Sequence, residues 1–221
     1  MTIIQQTVYK PFHREMTTLA HVLGAISAIL ILAWVLHFHG RLWLHSDNPE
    51  HIFNVHPIVM YMGFIFVMGE GIMAYKLAPL LMRVRKMVHM MFNFVALCFG
   101  IFGVYAAFKY HKESTITDMY SLHSWLGMVT ICLYGLQWVF GFLCFWLPMA
   151  SRYMRDRMVP WHRSMGLFLF LMAVCTAETG LVEKAALSQL GPGVESCLMN
   201  FAGLAILLFG MAVAFSVILD I

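Results

Sequence analysis

Residues 119–147 read MYSLHSWLGMVTICLYGLQWVFGFLCFWL. The stretch contains no Asp, Glu, Lys or Arg. It is longer than the roughly 20 mostly apolar residues that a bilayer-spanning helix requires. A run this long and this apolar belongs in lipid, where a helix satisfies its own backbone. Near its start stands His123, a polar ring where the apolar run begins. The same unit recurs on either side. Spans are expected over 54–75, 87–108 and 161–181, with His56, His89 and His162 near their first turns. Two further apolar runs, 19–38 and 196–219, complete six expected spans. The 221 residues are 61% apolar and 11% charged, against about 25% charged in soluble domains. The expected fold class is therefore all-α, an integral membrane protein of six transmembrane helices. The domain organisation expected is a segment over 1–18 followed by one transmembrane domain over 19–221.

Punctuation between the runs places the connections. Ser46-Asp47-Asn48-Pro49 is a turn signal, with Asn54 expected as the N-cap of the second span and Pro57 in its first turn. A basic loop is expected over 76–86 with Pro79, and a polar loop over 109–118. Pro148 is expected to close the fourth span, and Pro160 to open the fifth after a loop over 149–159. Gly191-Pro192-Gly193 marks the last loop, over 183–195. Lys and Arg concentrate on one side: Lys10, Arg14, Lys76, Arg83, Arg85, Lys86, Arg152, Arg155, Arg157 and Arg163. Arg41, Lys109, Lys112 and Lys184 fall on the other. Positive charge stays in the cytoplasm, so both termini are expected there. His89 and His162 then lie towards the cytoplasm, and His56 and His123 towards the exoplasmic or lumenal face.

The net charge of +3 is too small to imply nucleic acid, and no basic tail is present. The five cysteines form neither C-x-x-C nor C-x-x-C-H, which excludes covalent c-type haem. They read as small buried residues. The first 18 residues lack the order of a cleavable signal.

Up-down threading of consecutive spans brings His56 to His123 at one end and His89 to His162 at the other. A haem needs two axial ligands on opposite faces of its ring, which facing helices supply. Zinc wants four ligands close together, and no carboxylate follows His56 or His123 at helical spacing. Gly127 and Gly166 follow His123 and His162 by one turn. Gly141 and Gly180 fall five turns beyond the same histidines, and Gly103 lies on the His89 face. These glycines read either as clearance for a cofactor or as ordinary small-residue helix packing. Glu70 and Glu178 fall inside spans, where ionisable groups are usually functional. Three functions fit these residues: an electron carrier with b haems, a histidine- and acid-dependent metal or proton transporter, and a haem-bearing anchor subunit of a larger redox complex.

Phe53-Asn54-Val55-His56-Pro57, Tyr120-Ser121-Leu122-His123-Ser124-Trp125-Leu126-Gly127, Pro160-Trp161-His162 and Thr179-Gly180-Leu181-Val182-Glu183-Lys184 resemble the cytochrome b561 family of transmembrane ascorbate-dependent oxidoreductases and ferrireductases. The resemblance runs from about residue 19 to the end, and is strongest to plant members. It implies a central four-helix bundle, helices two to five, holding two non-covalent b haems. His56 and His123 would ligate the outer haem iron, His89 and His162 the inner. Electrons would pass from cytoplasmic ascorbate to monodehydroascorbate or a ferric chelate. By resemblance, Lys86 and Arg155 form the cytoplasmic ascorbate site. Tyr110, His111 and Tyr120 form the exoplasmic substrate site, with His111 exchanging a proton. Lys76 lies by a haem propionate, and Met119, Tyr120, Ser121 and Glu183 lie by the outer haem. Met82 stands where members often carry Lys; Arg83 and Arg85 are the candidates to compensate. A homodimer is also implied. Ascorbate is a monoanion at neutral pH, which a cationic rim attracts.

Overall fold

A computed structural model describes residues 3–76, 80–147 and 149–218, with side chains of the first helix from Glu15 onward. Pro79, Pro148 and the side chains of Lys10, His13 and Arg14 lie outside the described residues. Among the described residues, six helices are long and apolar enough to cross a membrane. They are α1 (Ile3–Trp34), α2 (Pro49–Lys76), α3 (Met82–Ser114), α4 (Leu122–Trp146), α5 (Arg152–Leu187) and α6 (Val194–Ile218).

The helices outrun the apolar stretches that announce them. Asn54 does not cap α2. Asn48 does, its side chain accepting from the Glu50 amide at 3.0 Å with Pro49 in the first helical position. Asn54 is buried within α2, and its Nδ2 donates to the carbonyls of His39 and Arg41, each at 3.0 Å. Pro57 therefore sits inside the helix. The missing N–H is followed at once by a stretch of wide π-type turns, Val59–Phe66. Pro160 likewise lies inside α5 rather than opening it. That helix starts at Arg152, where Ser151 Oγ accepts from the Met154 amide at 3.3 Å. The expected loop over 109–118 is helical to Ser114, ending in Thr115 at φ 56°. Lys, Arg and Met are good helix formers, so the turns beyond the hydrocarbon stay wound.

α2 packs on α3, α3 on α4, α4 on α5, and α5 back on α2; α1 and α6 run together along the α2 and α5 side of this ring. The tightest core lies there: Trp34 of α1, Met68 of α2, Leu169 and Phe170 of α5, and Ile206 and Phe209 of α6 are fully buried. Glycines set the spacing of these helices. A Cβ on Gly69 would stand 2.6 Å from Phe209, and one on Gly24 2.7 Å from Phe66. In lipid, close packing of this kind replaces the hydrophobic drive as the source of association. Ile29, Leu136 and Phe201 stay exposed on the outer faces, where lipid would cover them.

Candidate functional site

At one end of the ring, His56 of α2 faces His123 of α4, with ring centroids 6.0 Å apart. At the other, His89 of α3 faces His162 of α5 at 6.1 Å. His123 is placed by its helix start. Ser121 caps α4, its Oγ accepting from the Ser124 amide while Ser124 Oγ accepts from the Ser121 amide, both at 3.2 Å. His123 follows within the first turn. His56, His89 and His162 sit deeper in their helices than the apolar runs imply.

Neighbouring helices orient the rings. His56 Nδ1 lies 2.9 Å from the Gly103 carbonyl, His89 Nδ1 2.8 Å from that of Gly71, and His123 Nδ1 2.9 Å from that of Thr176. A carbonyl only accepts, so Nδ1 carries the proton in each of these three and Nε2 keeps a lone pair. His162 Nδ1 instead meets Gln137 Nε2 at 3.0 Å. Around His89, Asn93 Nδ2 donates to the His89 carbonyl at 2.6 Å, and Tyr134 donates to Asn93 Oδ1 at 2.7 Å.

The pairs fit one axial metal each. An imidazole nitrogen binds a metal at about 2 Å, so two facing rings of about 1 Å radius would place their centroids about 6 Å apart. Both observed separations match. Among the described residues no group of three or more His, Cys, Asp or Glu is gathered to hold a metal ion. Each site is thus a two-imidazole clamp rather than a tetrahedral cage. Gly141 and Gly180 complete the fit. A Cβ on Gly141 would stand 2.9 Å from His162 Cε1, and one on Gly180 2.7 Å from His123 Cε1. The helix of one pair therefore makes room for an imidazole of the other, so the clearance is for the ring itself. Gly103 differs: the space its Cβ would take is filled by the Met60 side chain.

Each pair opens into a cavity. The one at the His89–His162 end, about 800 Å³, is lined by Lys76, Lys86, Arg152, Arg155 and Arg163, with Asp156 as its acid. It brings together Lys76, Lys86 and Arg155. Arg152 and Arg163 are legible in the sequence only as topological charge, and Gln137 not at all. Met82 also lines it. Arg83 and Arg85 do not, and Arg85 is tied to the Tyr75 carbonyl at 3.0 Å.

The cavity at the His56–His123 end, about 400 Å³, gathers Tyr110, His111, Met119, Tyr120, Ser121 and Glu183. Its cations and acids are mixed. Lys184 Nζ donates to Glu50 Oε2 at 2.9 Å, lies 4.2 Å over the Phe53 ring, and Tyr110 donates to Glu50 Oε1 at 3.2 Å. Glu50 has no signal in the sequence beyond its place in a polar stretch. His111 Nδ1 donates to Asp118 Oδ1 at 2.8 Å. Met119 adopts φ +57°, a strained left-handed backbone, and its carbonyl accepts from Trp125 Nε1 at 2.9 Å. Partial burial, then the Glu183 carboxylate beside it, pushes the Tyr120 phenol above its ordinary pKa. Glu70 and Glu178 line neither cavity. Glu70 meets His21 at 2.9 Å, and Glu178 packs against Gly203 of α6 with Oε1 buried.

Known proteins share this chain's sequence over most of its length. Residues 55–188 match the family model described as eukaryotic cytochrome b561. The chain is 45% identical over 202 residues to a probable ascorbate-specific transmembrane electron transporter 1 of Oryza sativa subsp. japonica, covering 89% of this chain and 86% of that one. It is 42% identical over 198 residues to transmembrane ascorbate ferrireductase 1 of Arabidopsis thaliana, covering 88% and 83%. A plasma membrane ascorbate-dependent reductase of Xenopus laevis is 38% identical over 207 residues, covering 89% and 71%.

Proposed function

Since this chain belongs to the eukaryotic cytochrome b561 family, we propose that it is a transmembrane ascorbate-dependent reductase carrying single electrons across a membrane. The acceptor is monodehydroascorbate or a ferric chelate. Two b haems per chain are held in the ring of α2 to α5, the outer by His56 and His123, the inner by His89 and His162. When bound, haem supplies a one-electron couple whose potential its axial ligands and their hydrogen bonds tune. The observation that carries this reading is the pair of imidazole clamps, 6.0 and 6.1 Å between centroids, at opposite ends of one ring of helices.

The inner cavity binds the donor. Lys86 and Arg155 hydrogen-bond the enediolate oxygens of the ascorbate monoanion, and Lys76, Arg152 and Arg163 add attraction in a site of low dielectric. Lys76 serves the inner haem's propionate. The outer cavity binds the acceptor. Monodehydroascorbate takes one electron and one proton to become the ascorbate monoanion, and His111 exchanges that proton at Nε2 while Asp118 holds Nδ1. Tyr110, fixed by Glu50, and Tyr120, beside Glu183, shape the site. Met119 and Ser121, which line the outer cavity, would help hold the outer haem.

The cationic cavity faces the cytoplasm, with both termini and the 1–18 segment there. The protein works as a homodimer. The test is a visible spectrum of the purified protein with quantified haem, alone and with ascorbate. Two b haems per chain, reduced by ascorbate, are expected in the native protein. His89→Ala and His162→Ala should each lose one haem and slow reduction of the other. A haem-free native protein would sink the reading, and retention of both haems in these variants would sink the ligand assignment.

A further inference from the structure

Three of the four clamp imidazoles are steered by main chain. The Gly103, Gly71 and Thr176 carbonyls lie 2.8 to 2.9 Å from Nδ1 of His56, His89 and His123. Substitution leaves a backbone carbonyl in place. His162 is different. Its Nδ1 lies 3.0 Å from Gln137 Nε2, which also donates to the His162 carbonyl at 2.8 Å. Gln137 stands on α4 one turn before Gly141, the glycine that makes room for the His162 ring. Both therefore occupy the same helix face.

The amide nitrogen is a donor only. Facing it, Nδ1 accepts, and the ring proton falls on Nε2, the atom that an axial ligand needs bare. Ligation requires the opposite tautomer, with Nδ1–H donating. We propose that Gln137 is the positioning residue of the inner haem: on ligation its amide turns end for end, gives up the bond to the His162 carbonyl, and accepts Nδ1–H through Oε1. The inner centre then depends on one side chain that can rotate, where the outer centre is fixed by main chain at both ligands. This rests on the reading of His162 as a haem ligand.

The acceptor on Nδ1–H sets how electron-rich the ligand is. A carboxylate accepts more strongly than an amide, and the cations lining the same cavity favour its charged form. Gln137→Glu should therefore stabilise the ferric inner haem. The experiment is a redox titration of the full chain with both haems bound, combined with low-temperature electron paramagnetic resonance of the ferric state, for Gln137→Glu and Gln137→Leu. In the Glu variant one midpoint should fall by at least a tenfold change in its ferrous-to-ferric ratio, which is about 59 mV for a one-electron couple, while the other stays. In the Leu variant the same haem should change its ferric signal or be lost, with the outer signal intact. Two midpoints and two ferric signals at native values in both variants would overturn the proposal, as would a shift of both haems in the Glu variant. Fewer than two haems in the native protein would overturn the two-haem reading on which the proposal rests, and haem quantification before the titration separates that failure from the others.

Discussion

Four imidazoles have Nδ1 engaged: His56, His89 and His123 donate it to main-chain carbonyls and leave Nε2 bare for a metal, while His162 meets the Gln137 amide. The histidines themselves are legible in the sequence, because a histidine near the start of each of four consecutive spans is a costly pattern to keep in lipid. The partners that orient the rings are not legible. Three are main-chain carbonyls, which every residue has, and the fourth, Gln137, reads as an ordinary polar residue in a helix. Gly141 and Gly180 are legible by five-turn spacing, and each receives an imidazole of the other pair. Gly180→Ala should displace His123, cost about 1–3 kcal/mol by overpacking, and alter the outer haem's spectrum alone; thermal melts and spectra of the variant check both. At Tyr120 the raised phenol pKa gives a sign. The folded protein holds that proton more tightly than the unfolded chain, so the stability it contributes is present below the ordinary value near 10 and is lost as pH rises through the folded value. Tyr120→Phe should therefore lose less stability than the native protein when denaturation is followed above pH 10.

The helices show why boundaries are the harder reading. Pro160 and the Lys109–Lys112 region look like breaks because charge and proline end the apolar runs. They end the apolar runs, but the hydrogen-bonded helix continues through them. The true starts carry side-chain caps, Asn48 for α2, Ser121 for α4 and Ser151 for α5, each accepting a backbone N–H. The extra turns reach the outer cavity: in the first turn of α2, Glu50 joins Lys184 of α5 to Tyr110 of α3. Lys184→Met would leave Glu50 without its cation. Because Glu50 is 44% exposed and keeps its bond from Tyr110, a stability loss of no more than about 1 kcal/mol is expected, with a raised KM for the acceptor and unchanged reduction of the inner haem by ascorbate. Stopped-flow reduction alongside acceptor titration separates the two sides.

Across the whole molecule, charge is the organising asymmetry. Five cations against one acid line the inner cavity, while Glu50, Glu183 and Lys184 share the outer one. This asymmetry supports the proposal of an anionic donor at the inner end. Lys86→Ala and Arg155→Ala should each raise the KM for ascorbate by about 10- to 100-fold, the worth of one hydrogen bond to a charged group. Added salt should weaken donor binding in the native protein more than in either variant, as initial rates at several ionic strengths would show. The sequence announces this asymmetry as a topological bias, but it does not reveal that Arg152 and Arg163 turn into the cavity. Helix contacts decide that. The most direct test of the central claim is electron transfer across a sealed bilayer. Protein reconstituted into vesicles, with ascorbate on the side of Lys86 and Arg155 and an impermeant ferric chelate on the other, should form ferrous product at a rate that collapses in His89→Ala and His123→Ala. Ferrous iron formed at the native rate in both variants, or none formed by a native protein carrying two haems, would contradict it.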